Sequence, residues 1–259
     1  MSNIENVFKK GKAFITYITA GDPSMETTIK LVIEMAKAGA DVIELGIPFS
    51  DPVAEGPVIE EAHARALSKG ITTDQIFDGI KEIRKNSDVP IVIMTYANPI
   101  FTYGTERFMK RCQEVDVSAV IVPDIPFEEK EELLPFCQEY NITMISMITP
   151  TSKERIRMIA QEAEGFIYCV SSLGVTGVRK SIGNEAEEMI KLVKEVKEIP
   201  CAIGFGLSTP QQAAQMAKIA DGIIVGSAIV QMIAEYGENS VPYVYEYVKE
   251  MKKALMCSF

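Results

Sequence analysis

The 259-residue chain has no tryptophan, one histidine (His63) and no CxxC pair of cysteines. It also has no apolar run near the roughly 18 residues of a membrane span. A single imidazole excludes metal centres built on two or more histidines, though not a one-histidine catalytic triad. His63 lies in the apparent helix start EEAHARAL and is expected on that helix's surface rather than in chemistry. The five cysteines, Cys112, Cys137, Cys169, Cys201 and Cys257, are scattered and odd in number, so reduced, mostly buried thiols are expected rather than a disulfide framework. The opening MSNIENVFKKGK has no signal-peptide apolar core, so a cytoplasmic location is expected. Positive charge is scarce as well: 26 Lys and Arg stand against 36 Asp and Glu, a net charge of −10. That argues against a nucleic-acid footprint and leaves small anions to be held by backbone amides.

What is present is a globular composition, 47% apolar and 24% charged. Eight runs read as strands: AFITYIT from Ala13, DVIELG from Asp41, IVIMTY from Ile91, SAVIVPD from Ser118, ITMISMI from Ile142, GFIYCV from Gly165, PCAIGFG from Pro200 and DGIIVG from Asp221. Each is near-continuously apolar, as parallel strands covered on both faces are. Segments of helical period lie between them. Ile29, Val32, Ile33 and Ala36 form one stripe, and Met189, Leu192, Val193 and Val196 another. Asp22-Pro23-Ser24 and Ser208-Thr209-Pro210 offer helix starts, and Gly39 a helix end. Eight alternations predict one α/β domain over residues 1–259, a (β/α)8 TIM barrel. A doubly wound open sheet is the alternative, disfavoured by the count and by the absence of a GxGxxG opening. Strand starts are 21 to 28 residues apart, except for 50 in the second unit and 35 in the sixth. The extra length predicts long functional loops after strands 2 and 6, on the face where barrels keep their active sites.

The chemistry-bearing motifs fall on that face. IELGIPFSDPVAEGP brings Glu44 to a strand's end and offers a second acid, Glu55, in the loop beyond, a pairing suited to proton transfer. Gly204-Phe205-Gly206-Leu207-Ser208 ends strand seven. Gly226-Ser227 ends strand eight and opens the helical AIVQMIAEY, so free amides and a helix dipole could grip a phosphate there. The glycine-rich SSLGVTGVRKSIG, Ser171 to Gly183, reads as a lid. Asp124, also at a strand end, reads as structural.

Taken together, IELGIPFSDPVAEGP, MTYANPIF, YCVSSLGVTG, GFGLS and VGSAIV resemble, in order, the tryptophan synthase α subunit family, from about Phe8 to the helix after Ser227. The resemblance implies retro-aldol cleavage of indole-3-glycerol phosphate to indole and glyceraldehyde 3-phosphate. It implies no cofactor in this chain and a partner β subunit, with α2β2 stoichiometry, that carries pyridoxal phosphate. Glu44 matches the family's catalytic glutamate, whose raised pKa is expected from desolvation against Tyr168. Glu55 stands where the family has aspartate, its carboxylate one methylene further out. Asp51 and Thr176 match the lid-closing pair, and Gly177, Gly206, Gly226 and Ser227 the phosphate donors. Tyr168, Tyr17 (a phenylalanine in the family) and Tyr96 are expected around the indole, although ordinary core packing accounts equally well for the last two. Ser172 replaces a frequent arginine. The alternatives are a weakened enzyme acting mainly as allosteric partner of the β subunit, and a stand-alone barrel isomerase acting on another phosphorylated metabolite.

Overall fold

The computed structural model describes residues 4–170, 181–204 and 206–256 of the chain. Nine strands are present among them: β1 (Ala13–Thr19), β2 (Val42–Gly46), β3 (Ile91–Met94), β4 (Ala119–Ile121), β5 (Thr143–Met144), β6 (Ser146–Ile148), β7 (Ile167–Val170), β8 (Cys201–Gly204) and β9 (Gly222–Val225). Every pairing is parallel. The spatial order is β5-β4-β3-β2-β1-β9-β8-β7-β6, and its two end strands are consecutive in the chain, separated only by Ile145. The sheet therefore closes into a barrel through one interrupted strand. This corrects the reading of ITMISMI as a single strand. Its first half pairs with β4 and its second with β7, and Ile145, whose N–H still reaches Val120 O at 2.9 Å, is the handover point.

Continuous apolarity has a direct cause in this architecture, because successive side chains enter two different cores. Ile15, Tyr17, Val42, Val92, Met94, Ala119, Ile121, Phe166, Ala202 and Ile224 pack in one cluster. Their chain neighbours, among them Phe14, Ile18, Ile43, Leu45, Ile93, Val120, Ile167, Ile203 and Ile223, pack in a second cluster with the surrounding helices. Glu44 belongs by this period to the first set, between Val42 and Gly46.

The helix Met25–Ala38 is capped by Ser24, whose Oγ accepts from Thr27 N at 3.2 Å, and ends at Gly39, which takes φ 109°. Its buried face is Thr28, Leu31, Val32, Met35 and Ala38, one step round from the predicted stripe; Ile29, Ile33 and Ala36 are only half-buried. On the helix Ser181–Lys194 the expected Met189, Leu192 and Val193 are buried, but Val196 lies past the helix end and is exposed. Thr209 starts its helix with a capping box to Gln212.

The long second unit holds two helices, Pro57–Ser68 and Thr73–Arg84, so its loop is confined to residues 47–56. In the sixth unit residues 171–180 lie outside the described residues, and Ser181–Gly183, read as loop, belong to the helix that follows. The helices Glu5–Phe8 and Val241–Met256 had no counterpart among the predicted elements. Cys112, Cys137, Cys169 and Cys201 are free and buried.

At the carboxyl ends of the strands, two glycines make room for tyrosines. A Cβ on Gly46 would lie 2.2 Å from Tyr17 Oη and 2.7 Å from its Cζ, and one on Gly204 would lie 2.5 Å from Tyr168 Oη. Gly46→Ala is therefore expected to destabilise the fold by about 1–3 kcal/mol, the usual range for overpacking. Urea titration checks this, and an unchanged midpoint would mean that the Tyr17 ring has room to move.

Candidate active site

Glu44 lies on β2 in register with Tyr17 of β1 and Val92 of β3, and is only 1% exposed. Its Oε2 is buried with no hydrogen-bond partner among the described residues. Removal from water, and then the charge of Glu55, push its pKa from 4.5 up to about 8. Around neutral pH Glu44 thus holds a proton that it can give up and take back.

Glu55 ends the loop 47–56, just before Gly56 and Pro57 start the next helix. It is half-buried, and desolvation raises its pKa to about 7, against the backbone amides of Ala54 and of Glu55 itself, which favour the anion. The Tyr96 hydroxyl donates to Glu55 Oε2 and accepts from Val53 N at 3.2 Å and Ala54 N at 3.1 Å. Tyr96 is fully buried, and its ring packs 5.2 Å from that of Phe49. It therefore holds the second acid and the loop that carries it. Asp51 sits on the exposed part of the same loop, its carboxylate accepting from the Ser50 hydroxyl. Its expected partner Thr176, together with Gly177 and Ser172, lies outside the described residues.

Tyr17 pairs with Glu44 on the neighbouring strand, and Tyr168 of β7 lies near enough to feel its charge. Burial raises both phenol pKa values, with Glu44 and Glu55 acting in the same direction, so both hydroxyls keep their protons. Tyr17 also touches the other end of the site, since a Cβ on Gly226 would lie 3.2 Å from Tyr17 Cβ. Gly226 is the N-cap of the helix Ser227–Tyr236, and its carbonyl takes Ile229 N at 2.8 Å and Val230 N at 3.0 Å. Ser227 is exposed, the first amides of its helix lack partners within the helix as at any helix start, and Gly206, with φ 68°, makes the turn after β8, the strand that pairs with β9. Glu44 and Gly226 thus flank one tyrosine from the two strands next to β1.

Two expectations about single residues have definite outcomes. His63 is not a surface residue: it is 2% exposed, with Nε2 3.1 Å from Tyr17 Oη and Nδ1 accepting from Phe49 N at 3.1 Å. The signal was in the chain, because Ile59, Ala62, His63 and Ala66 follow the i, i+3, i+4, i+7 rule of an inward face. Asp124 does serve the backbone, its two oxygens accepting from Ala97 N at 3.0 and 3.2 Å. A pair not singled out in the sequence is Arg65 with Asp22, joined by two hydrogen bonds of 3.0 and 2.8 Å, which ties the helix after the loop to the end of β1. Among the described residues no group of three or more His, Cys, Asp or Glu could hold a metal ion, and no helix is long and apolar enough to cross a membrane.

The profile of the family described as tryptophan synthase alpha chain matches residues 4–256. The chain belongs to the tryptophan synthase alpha chain family. It is 46% identical to the tryptophan synthase alpha chain of Lacticaseibacillus casei over 255 residues, 98% of this chain and 96% of that one. Among solved structures it resembles subunit alpha from Legionella pneumophila at 36% identity and TM-score 0.90, covering 99% of both chains. It also resembles a chain of the tryptophan synthase α2β2 complex from Pyrococcus furiosus, at 35% identity and TM-score 0.87, over 94% of this chain and 98% of that one. The barrel and its family are thereby shown, and the activity is that of a lyase in the α reaction.

In this alpha chain the burial of Glu44 has a measurable consequence. Below pH about 4.5 the carboxyl is protonated whether the chain is folded or not. Between 4.5 and about 8 the unfolded chain ionises while the folded one keeps its proton, so stability falls as pH rises, and above 8 the loss is complete. Glu44→Gln removes this cost. The variant is expected to match the parent near pH 4 and to exceed it near pH 9, by on the order of a few kcal/mol, in denaturant titrations at both pH values. Parallel curves for the two proteins would place Glu44 in contact with water.

Proposed function

We propose that the chain works as one barrel domain in the cytoplasm, cleaving indole-3-glycerol phosphate to indole and glyceraldehyde 3-phosphate. The indole passes to a partner β subunit in a hetero-oligomer of the α2β2 kind. Pyridoxal phosphate belongs to that partner, and this chain needs no cofactor of its own. The observation that carries the reading is a buried carboxyl, Glu44, raised toward neutrality beside a second acid, Glu55, and in register with the same tyrosine that Gly226 at a helix N-terminus abuts.

The chemistry divides between the two acids. Glu44, protonated near neutral pH, gives its proton to indole C3, which turns the ring into an electron-poor iminium. Glu44, now a carboxylate, takes the proton of the side-chain hydroxyl. As the carbonyl forms, the carbon–carbon bond breaks and its electron pair restores the aromatic indole. The acid ends as it began. Positive charge grows on the indole nitrogen during the first step, and Glu55 is the carboxylate that faces it, favouring the transition state over the neutral substrate. Tyr17, Tyr96 and Tyr168 line the ring's slot. Gly177, Gly206, Gly226 and Ser227 hold the phosphate, and Asp51 meets Thr176 when the lid closes.

The glutamate at position 55 fits this scheme because its extra methylene is taken up by Tyr96, whose hydroxyl anchors the carboxylate. Glu55→Asp, drawn back from Tyr96, is accordingly expected to lower turnover rather than raise it. Misplacement of about 1 Å corresponds to a loss on the order of 100-fold. Rates of indole release from the purified chain, with and without β subunit, measure this; a gain would show that Glu55 is the misfit. Glu44→Gln is expected to abolish cleavage while leaving affinity for glycerol phosphate within about twofold, since it touches only the chemical step. Retained turnover would remove Glu44 from its role. Activation of the β subunit with negligible indole release from the parent chain would instead favour a purely allosteric partner.

A further inference from the structure

His63 is the chain's one histidine, is shut away from water, and is bonded at both ring nitrogens. The donors fix the protons. Phe49 N–H can only donate, so Nδ1 is the acceptor; the ring proton then sits on Nε2 and is given to Tyr17 Oη, which leaves the phenol free to donate to Thr19 Oγ1 at 3.3 Å. Each donor in this row has an acceptor. Burial lowers the imidazole's pKa, while Phe49 and Asp22 act the other way. A protonated ring would turn Nδ1–H toward Phe49 O, 3.3 Å away, and strip Phe49 N–H of its acceptor.

Three elements meet at this ring: β1 through Tyr17, the loop 47–56 through Phe49, and the helix Pro57–Ser68 that carries His63 itself. The loop has a second tie in Tyr96, which binds the amides of Val53 and Ala54 and the carboxylate of Glu55, and whose ring lies against Phe49. Neither tie lies within the loop. The segment is exposed at Ser50, Asp51, Val53 and Ala54 and has no regular structure, so its course depends on what grips its two ends. Tyr96 grips the end with the acid. His63 grips the beginning, and through Phe49 it also backs the Tyr96 ring.

We propose that His63 is a positioning residue for the lyase reaction: by joining the Tyr17 hydroxyl to the Phe49 amide it fixes the course of loop 47–56 and so sets where Glu55 points. This rests on the assignment of Glu55 as the carboxylate facing the indole nitrogen. It accounts for a buried imidazole that takes no part in proton transfer. It also gives the Tyr17 hydroxyl, absent where the family has phenylalanine, a task as the fixed end of the tether.

The test compares His63→Leu, which fills the space without either bond, with His63→Gln, whose amide can donate and accept. Indole release from indole-3-glycerol phosphate is measured with the β subunit present, alongside peptide-resolved hydrogen exchange. His63→Leu is expected to lower kcat by about 10- to 100-fold with KM within about threefold, and to speed exchange of residues 47–56 while leaving the barrel strands unchanged. His63→Gln is expected to recover most of both. Unaltered exchange in 47–56, exchange raised throughout the barrel, or a glutamine variant no better than leucine each overturns the proposal. If His63→Leu does not fold, His63→Asn, too short to reach both partners, takes its place against His63→Gln. Glu55→Gln separates the two assignments. If it keeps full turnover, the role given to Glu55 is wrong; if it is inactive while His63→Leu is active with a loosened loop, the role given to His63 is wrong.

Discussion

A carboxyl group held away from water where a barrel strand ends is a costly arrangement, and much of the site is organised around it. Strand period sends Glu44 into the inner cluster with Val42, and the closed sheet surrounds it with Tyr17 and Tyr168. In that setting the neutral acid is the cheaper form, which is why its pKa climbs to about 8. The same burial that weakens the fold as pH rises keeps a proton on the group near neutral pH, as the acid-then-base role proposed for it requires. The glycines at 46 and 204 belong to the same arrangement, because a side chain at either place would displace Tyr17 or Tyr168. Stability surrendered at Glu44 is offset by two apolar clusters that share one set of strands, one inside the barrel and one beneath its helices.

The two acids differ in how they are buried. Glu44 is enclosed and, among the described residues, unpartnered at Oε2, whereas Glu55 accepts from Tyr96 and from nearby backbone amides. Hydrogen bonds to the ionised form favour it, so the backbone amides restrain the rise at Glu55, and the charge it carries raises Glu44. Glu55 thus acts on Glu44, whereas its own rise comes from desolvation and from the charges of Glu60 and Asp124.

Much of this could be read from the chain because it rests on local rules. Apolar runs gave the strands, Ser24, Gly39 and Thr209 gave helix limits, and Gly226-Ser227 gave the start of a helix at the barrel's rim. What could not be read depends on partners distant in sequence. The break at Ile145 is a change of neighbour from β4 to β7, which no property of ITMISMI announces. The stripe on the first long helix lies one step off because the buried face includes a polar residue, Thr28, whose hydroxyl accepts from Gly21 N. His63 was placed outside for the same reason: a polar side chain on a helix is usually solvated, and only Tyr17 and Phe49, brought up by the barrel's closure, make burial tolerable. The hydrogen bond from Tyr96 to Glu55 spans 41 positions and has no local signature.

Those distant contacts bear most directly on catalytic geometry. A strand fixes Glu44 through a ladder of backbone bonds, but a loop has no such ladder, and an acid on a loop is only as well placed as the side chains that hold it. The family resemblance names the acids and says little about the holders. In this chain the holders are Tyr96 and His63, one on each side of the exposed turn, and they touch each other through Phe49. An ungripped loop would leave the long side chain of Glu55 unanchored. With the Tyr96 hydroxyl at the end of its reach, that side chain has a fixed terminus. Glu55 is then best understood together with its supports, because where a carboxylate sits depends on what binds it as much as on the length of its stem.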